Sequence, residues 1–331
     1  MAQSVTTRPH PAEHTDNPTY PITDPPPGYM ANARVCSFLV NVACDMCQQW
    51  MNTKPTPPPP GSFKWVPNDP CPYTSSQYNL KDFILSPNPA DSIIWSTFQY
   101  NGQTYTEPFG FNAMAKDGSA FYVVFRGSQT KVDFDLDGEG GQVPYPGGPQ
   151  GVLIEQGFAA VYAGCLEAIE QALLRLSSLD GESKQALPSP LFITGHSLGS
   201  ALATLSIPLV AKYYANGMQC NQASPRVGNP KFAEYIDSFA KSFPTYRLVN
   251  TADLVPKLPP PVVRVGQQTY YYQHVGAEVD FTAAYPTEKD KHSPCCCYSY
   301  ALFNPTSPVN PDITQCVGTL EPFAELPNPK N

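Results

Sequence analysis

The chain of 331 residues has no run of about 18 consecutive apolar residues, the length at which an apolar segment predicts a transmembrane helix. Residues 1–30 are polar and rich in proline, and they lack the apolar centre of a secretory signal. We therefore predict a soluble protein without a membrane span. Its location stays open between the cell interior and a mature secreted chain, and the ten cysteines slightly favour the oxidising, secreted alternative.

Charged residues are also few, at 15% of the chain, and acidic residues outnumber basic ones, giving a net charge of -8. The sequence shows no stripe of lysine and arginine that could displace counterions from phosphates. Nucleic acid is therefore excluded as an expected partner.

Metal-ligand patterns are scarce as well. Cys44 and Cys47 are three residues apart on a predicted helix, but no second such pair and no histidine pair follows. The run DFDLDG, starting at Asp133, matches the first half of a calcium-binding loop, yet Pro144 stands where a bidentate glutamate is needed. We expect no metal, and we expect these cysteines and the unusual run at 295–297 to form disulfides or to pack in the core. The sequence does not indicate their pairing.

Proline, in contrast, is abundant, with 39 residues that often occur in runs. These runs predict long extended connections, while the plentiful aromatic residues argue against disorder throughout. We predict an extended proline-rich arm over residues 1–30 and one domain over residues 31–331. The length alone would allow two domains, but α/β proteins of this size often form one.

The spacing of apolar residues predicts the secondary structure of the domain. Apolar residues recur at helical spacing over 31–52 and 157–179, which predicts two amphipathic helices. Turn signals between apolar runs predict hairpins among three strands at 93–98, 104–113 and 120–125. Later segments predict strands at 218–224 and 246–250, a helix at 230–243, and one long strand or tight hairpin at 269–281.

The pattern Gly195-His196-Ser197-Leu198-Gly199 lies between a short apolar strand and a helix rich in alanine and leucine. A strand that turns directly into a helix strains the residue at the corner, and small neighbours let the two elements pass closely. The pattern alone is weak, but in this context it presents a serine beside a helix N-terminus. We therefore predict Ser197 as an acyl-transfer nucleophile, with the backbone N–H of Leu198 as a donor to the oxyanion.

A serine hydroxyl needs a base, and the base works best when a carboxylate fixes its tautomer. Asp253 follows a predicted strand, although a solvated loop acid is the alternative. Two of the five histidines lie in the arm and His196 must point away from the serine, which leaves His274 and His292. We predict His292 as the base because it lies in a polar loop beyond the last strand. His274 is the alternative, and its expected role is a structural hydrogen bond within the sheet.

Five segments occur in a characteristic order: FRGSQT, GHSLGSALA, SPRVGNPKFA, NTADLVPKLP and YQHVGAEV. They resemble the fungal-type class 3 lipases, a branch of the α/β-hydrolases, over residues 121–300. The resemblance implies an α/β fold with a mostly parallel central sheet and helices on both faces, here preceded by a proline-rich extension. It also implies Asp253 as the acid, a histidine after the HVG strand as the base, and Ser128 as a second oxyanion donor. An ordinary turn is the alternative for Ser128.

In that family the segment after the RGS of FRGSQT is a lid, which the resemblance places at 132–145. Asp133, Phe134 and Asp137 occupy the positions of the acids and the aromatic residue that the family commonly carries there. Apolar residues alternate with acids in this segment, and glycine and proline follow, so it makes a poor amphipathic helix. This composition argues against strong activation at an oil surface.

We predict a serine carboxylic ester hydrolase, specifically a lipase that cleaves triacylglycerol or other lipid esters through an acyl-enzyme. No metal or organic cofactor is required. The expected partner is a lipid or small ester, and binding to a lipid–water interface stays open. Short-chain or feruloyl-type esters are the alternative substrates. A serine acyltransferase or peptidase could use the same residues, and a non-catalytic binding module that presents the proline-rich arm is a further alternative. The sequence does not indicate the oligomeric state.

Overall fold

The computed structural model describes residues 19–22, 24–85, 88–130, 141–179 and 189–313. Asp133, Phe134 and Asp137 of the predicted lid lie outside these residues, and so does the calcium-loop prediction at DFDLDG. The first 18 residues of the predicted arm also lie outside them.

The described strands and helices follow the predicted order. The strands are β1 Thr19–Tyr20, β2 Phe83–Ile84, β3 Ile93–Tyr100, β4 Gln103–Ala115, β5 Phe121–Phe125, β6 Gln142–Pro144, β7 Leu153–Glu155, β8 Leu191–Gly195, β9 Gly217–Gln222, β10 Thr245–Asn250, β11 Val262–Val265, β12 Gln268–Tyr271 and β13 Ala277–Ala283. The helices are α1 Tyr29–Asn52, α2 Pro72–Ser75, α3 Gln156–Leu179, α4 Leu198–Val210, α5 Pro230–Asp237, α6 Glu288–Lys291 and α7 Tyr300–Phe303, with a π-helix at Pro294–Ser299.

Nine of these strands form the main sheet, in the order β1-β13-β10-β9-β8-β5-β4-β2, with β3 paired to β4. The central strands β5, β8, β9, β10 and β13 run parallel, whereas β1 to β4 join the sheet in antiparallel pairs. Every residue of β5 and β8 is buried, as expected for parallel strands that are covered on both faces. The predicted mostly parallel sheet of an α/β-hydrolase is confirmed.

Two apolar layers cover this sheet. On one face, α3 and α4 pack against side chains such as Phe121 and Val123 of β5. On the other face, α1 packs against Tyr122 and Val124 of the same strand. Because successive side chains of a strand point to opposite faces, one short apolar strand contributes to both layers.

The largest differences from the predicted boundaries concern the arm, one helix and one strand run. The arm is not separate at its end, since β1 pairs with β13 and α1 begins at Tyr29. The helix predicted over 230–243 ends at Asp237, and the chain continues as turns. The run 269–281 is divided because β12 pairs with β11 in a separate hairpin whereas β13 joins the main sheet. His274 lies in the connection between β12 and β13.

One described helix, α3, is long and apolar enough over Gln156–Leu176 to cross a bilayer by length and composition. Half of that stretch is buried inside the protein, where it packs against β3 and α4. Helices in the core of globular proteins commonly meet the same criteria. The length and composition of α3 are therefore weak evidence for a membrane span.

The described cysteines pair or pack in the core. Cys71 and Cys295 form a disulfide that joins positions 224 residues apart, and Cys296 is also disulfide-bonded. Cys44 is buried on α1, and burial raises the pKa of its thiol to about 11, so this cysteine is a neutral thiol. Within the described ranges, no group of three or more histidine, cysteine or acidic side chains is arranged to hold a metal ion.

Candidate active site

The turn between β8 and α4 holds Ser197 in a strained backbone conformation, with φ 56° and ψ -127°. A non-glycine residue rarely adopts a positive φ, and such strain is concentrated at functional sites. The two flanking glycines make the turn possible. A Cβ on Gly195 would lie 2.2 Å from the carbonyl carbon of Gly199, and a Cβ on Gly199 would lie 2.4 Å from the carbonyl oxygen of Arg126.

The start of α4 leaves one backbone N–H available beside this serine. Gly199 and Ser200 donate their N–H groups to the carbonyls of His196 and Ser197, at 2.9 and 2.8 Å. The N–H of Leu198, in contrast, has no hydrogen-bond partner among the described residues. A free amide at a helix N-terminus is suited to stabilise a developing negative charge.

The loop after β5 lies directly against the nucleophile turn. A Cβ on Gly127 would lie 3.2 Å from the Cβ of Ser197, so the backbone just before Ser128 is in contact with the serine. Ser128 itself is buried. This loop is also tied to α1, because Gln129 Nε2 donates to the carbonyl of Cys44 at 3.2 Å.

A buried ion pair fixes the start of the same loop. The Arg126 guanidinium donates to Glu107 Oε2 at 2.9 Å and to the backbone carbonyls of Pro108 and Gly127. It also lies 4.0 Å from the centre of the Phe109 ring. Because the guanidinium is fully buried yet paired and hydrogen-bonded, it can hold the loop rigidly without leaving a bare charge in the core.

Asp253 and His292 come together from separate loops. Asp253 follows the end of β10, and His292 follows directly after α6. His292 Nδ1 lies 2.7 Å from Asp253 Oδ2, and both residues are almost fully buried. A carboxylate can only accept, so Nδ1 must carry the proton, which leaves the lone pair that a general base needs on Nε2.

The Asp253 carboxylate receives two further donors. The N–H of Val255 donates to Oδ1 at 2.9 Å, and the phenol of Tyr298 donates to Oδ2 at 2.7 Å. Burial, and next the negative charge of Asp253, raise the pKa of the Tyr298 phenol, so this group stays protonated and available as a donor. With the bond from His292 Nδ1, three donors hold the orientation of this carboxylate.

The His292 ring lies beside the nucleophile turn. Its centre is 4.5 Å from the centre of the His196 ring, and His196 immediately precedes Ser197. Burial, followed by the nearby His292, lowers the pKa of His196 well below its usual value. His196 is therefore neutral and adds no positive charge next to a base that must itself become protonated.

His274, the alternative base, does not reach Asp253. Its Nε2 bonds to the carbonyl oxygen of Pro256 at 2.8 Å, the structural contact expected for it. Burial is the main cause that lowers the pKa of His274 to about 2, and Arg247 and Arg226 lower it further. A group this hard to protonate is unsuited to act as a general base near neutral pH.

Tyr298 is a residue of the site that the sequence did not indicate. Its phenol reaches the carboxylate from the π-helix at Pro294–Ser299, and a π-helical turn has no reliable sequence signal. Taken together, the site offers a strained serine, a base with a fixed tautomer and an unpaired N–H, the combination needed for acyl transfer.

A family model described as "Lipase (class 3)" matches residues 122–263. The secreted mono- and diacylglycerol lipase A of Penicillium cyclopium is 31% identical over 188 residues, which are 56% of this chain and 56% of that protein. The phospholipase A1-II 3 of Oryza sativa subsp. japonica is 32% identical over 234 residues, which are 62% of this chain and 53% of that protein. The chain thus spans about half the length of these relatives.

Solved structures of lipases share the fold. A Rhizomucor miehei lipase in complex with its propeptide gives a TM-score of 0.52 at 22% identity, covering 76% of this chain and 66% of that one. The lipase of Rhizopus microsporus var. chinensis gives a TM-score of 0.51 at 21% identity, covering 78% of this chain and 76% of that one. The family match, the relatives and the shared fold agree with the five segments in the sequence, and over residues 122–263 the chain is similar to the class 3 lipases.

Proposed function

We propose that this protein is a lipase that hydrolyses carboxylic ester bonds of acylglycerol-type lipids through an acyl-enzyme on Ser197. The observation that carries the proposal is the position of the His292–Asp253 pair beside the strained turn at Ser197. The relatives support the substrate class, because their names describe lipases and a phospholipase A1.

In the proposed reaction, Ser197 Oγ attacks the ester carbonyl while His292 Nε2 takes its proton. Asp253 holds the imidazole through Nδ1 and stabilises the imidazolium as it forms. The negative charge on the former carbonyl oxygen is stabilised by the N–H of Leu198 and by Ser128. His292 then protonates the leaving alcohol, and water hydrolyses the acyl-enzyme by the same proton transfers in reverse order.

A chain-length series of nitrophenyl esters tests the proposal, with Ser197→Ala as the inactive variant. Ser206→Ala is a matched control because Ser206 is a buried serine of the same helix whose hydroxyl donates to the Leu202 carbonyl within that helix. We expect Ser197→Ala to abolish turnover and labelling by a fluorophosphonate, and Ser206→Ala to retain both. Ester hydrolysis that survives in Ser197→Ala would refute the proposal.

The same series, run with and without emulsified oil, tests the lipid substrate. A lipase should cleave long acyl chains and act on the emulsion. A preference for short soluble esters with no turnover of emulsified oil would refute the lipase assignment and leave a serine esterase. Turnover of amides, or acyl transfer to an added alcohol, would instead identify the peptidase or acyltransferase alternative.

We also propose that the protein works in an oxidising compartment. The Cys71–Cys295 disulfide supports this location, as does the word "Secreted" in the names of two relatives. Mass spectrometry of protein alkylated before reduction would test it, since the proposal requires that neither Cys71 nor Cys295 is alkylated in the protein as isolated from its native source.

A further inference from the structure

We infer that Asn250 is a positioning residue for the proposed ester hydrolysis, on which this inference rests. Its buried side-chain amide connects the strand that leads to Asp253 with the loop that carries His292. It touches neither the substrate nor the reacting atoms, and it acts through the geometry of the acid and the base.

The first group of contacts fixes the amide to the sheet. Asn250 is the last residue of β10, and its side chain is fully buried. Its Oδ1 accepts the N–H of Ala283 at 2.9 Å and that of Ala252 at 3.2 Å, while Nδ2 donates to the Ala283 carbonyl at 3.0 Å. The side chain thus bonds both backbone groups of one residue in β13, as a further strand residue would.

The second group of contacts reaches the base and the acid. Asn250 Nδ2 donates to the carbonyl of Lys291, the residue directly before His292, at 3.1 Å. The backbone N–H of Asn250 donates to the Tyr298 phenol at 3.2 Å, and this phenol donates in turn to Asp253. One residue is therefore linked to the backbone of the base and to a hydrogen-bond donor of the acid.

The base needs such an anchor because its own secondary structure is short. His292 follows α6, a helix of 4 residues, and an isolated helix of this length is not stable in water. The position of the imidazole must therefore be set by tertiary contacts. Since displacement by about 1 Å can reduce catalysis about 100-fold, losing the bond to Lys291 should lower the rate of the chemical step.

Thr251, the residue directly after β10, provides a matched control. Its hydroxyl hydrogen-bonds to that of Thr282 on β13 at 2.6 Å, so it links the end of β10 to β13 by side chains. Among the described residues, the Thr251 side chain makes no hydrogen bond to Lys291. Thr251→Val therefore removes a similar link between the strands without touching the proposed anchor.

The test compares kcat and KM for a nitrophenyl ester in the full chain, in Asn250→Ala, in Asn250→Asp and in Thr251→Val. We expect Asn250→Ala to lower kcat by about 10- to 100-fold at an unchanged KM. Thr251→Val should retain the kcat of the unmodified chain. In proton NMR, the far-downfield imidazole signal, assigned by its loss in His292→Ala, should weaken in Asn250→Ala and persist in Thr251→Val.

Asn250→Asp separates positioning from general stability through its pH dependence. The substituted side chain keeps its volume and both accepting contacts, but in its charged form it cannot donate to the Lys291 carbonyl. Protonation of the new carboxylate restores one donor. The ratio of the kcat of Asn250→Asp to that of the unmodified chain should therefore rise as the pH falls. The same ratio for Asn250→Ala should not vary with pH, because alanine has no group to protonate.

Each outcome has a definite meaning. A folded Asn250→Ala with unchanged kcat overturns the inference, and so does an equal loss of kcat in Thr251→Val. If Asn250→Ala does not fold, the pH-dependent ratio for Asn250→Asp decides, and a ratio that is flat with pH overturns the inference. If the unmodified chain neither cleaves esters nor reacts with a fluorophosphonate, it is the proposed function that fails.

Discussion

Replacing Asp253 by asparagine tests whether this carboxylate sets the tautomer of the base. The substitution keeps the size of the side chain, and its amide oxygen can still accept the N–H of Val255. The amide nitrogen then faces His292 Nδ1, where the carboxylate oxygen stood at 2.7 Å. Because an amide nitrogen only donates, Nδ1 must become an acceptor, and the proton moves to Nε2. The imidazole can then no longer take the proton of Ser197.

The size of the effect follows from this exchange of tautomers. In serine enzymes with such a triad, the asparagine substitution lowers kcat about 10,000-fold, which corresponds to about 5.4 kcal/mol of lost transition-state stabilisation. The fold should survive, because the amide nitrogen can donate to the phenol oxygen of Tyr298. We therefore expect Asp253→Asn to lose at least 1,000-fold in kcat, roughly the scale of that loss, with only a modest change in melting temperature.

The assay is hydrolysis of a soluble nitrophenyl ester, with the rate of fluorophosphonate labelling of Ser197 as a second measure. Both rates should fall together, since both need a base for the same hydroxyl. A folded Asp253→Asn that retains more than about a tenth of kcat would show, against the fall expected for such a triad, that Asp253 does not set the tautomer. The assignment of the acid would then be wrong, whatever the distance to His292.

Three further predictions concern the supports of the site. Tyr298→Phe removes one donor to the Asp253 carboxylate, and at about 1.5–3 kcal/mol for a bond to a charged group we expect kcat/KM to fall by roughly a factor of ten or more, measured with the same ester. Changing both Cys71 and Cys295 to serine should lower the free energy of unfolding by about 2–5 kcal/mol in urea titrations, and an unchanged midpoint would contradict this. Burial raises the pKa of Asp69 from 3.8 to about 6, so the folded state keeps this proton to higher pH than the unfolded state does. The free energy of unfolding should therefore decrease between about pH 4 and 6 as the group ionises, and Asp69→Asn should show a smaller decrease in melting temperature across that window.

Much of the fold could be predicted because its signals are local. The helix α1, the hairpins of β3 to β5 and the helix α3 each follow from apolar spacing within one segment. The division of the run 269–281 into β12 and β13 could not be predicted, because it depends on pairing partners distant in sequence. The pairing places β12 beside β11 and β13 beside β10.

The site shows the same limit more sharply. Ser197 stands out because its motif lies between a strand and a helix that can both be identified from sequence. The choice between His274 and His292 depended on a rule about loops, whereas in the structure the hydrogen bond to Asp253 and the position beside the turn at Ser197 distinguish them. The side-chain hydrogen bonds of Asn250 had no sequence signal, because all their partners except Ala252 lie more than 30 residues away in the chain.

The family model matches a shorter part of the chain than the part that carries the proposed site residues. It covers residues 122–263, which include Ser197 and Asp253 but exclude His292. The base is held by contacts that reach still further, since the Cys71–Cys295 disulfide joins the segment just after His292 to the chain before β2. Ser197 and His292, the proposed nucleophile and base, are therefore stabilised by different parts of the molecule. A fragment cut to the matched region would lose His292 and also Glu107 and Cys44, which hold the loop beside Ser197. It should therefore react no faster with a fluorophosphonate than the full chain with His292→Ala.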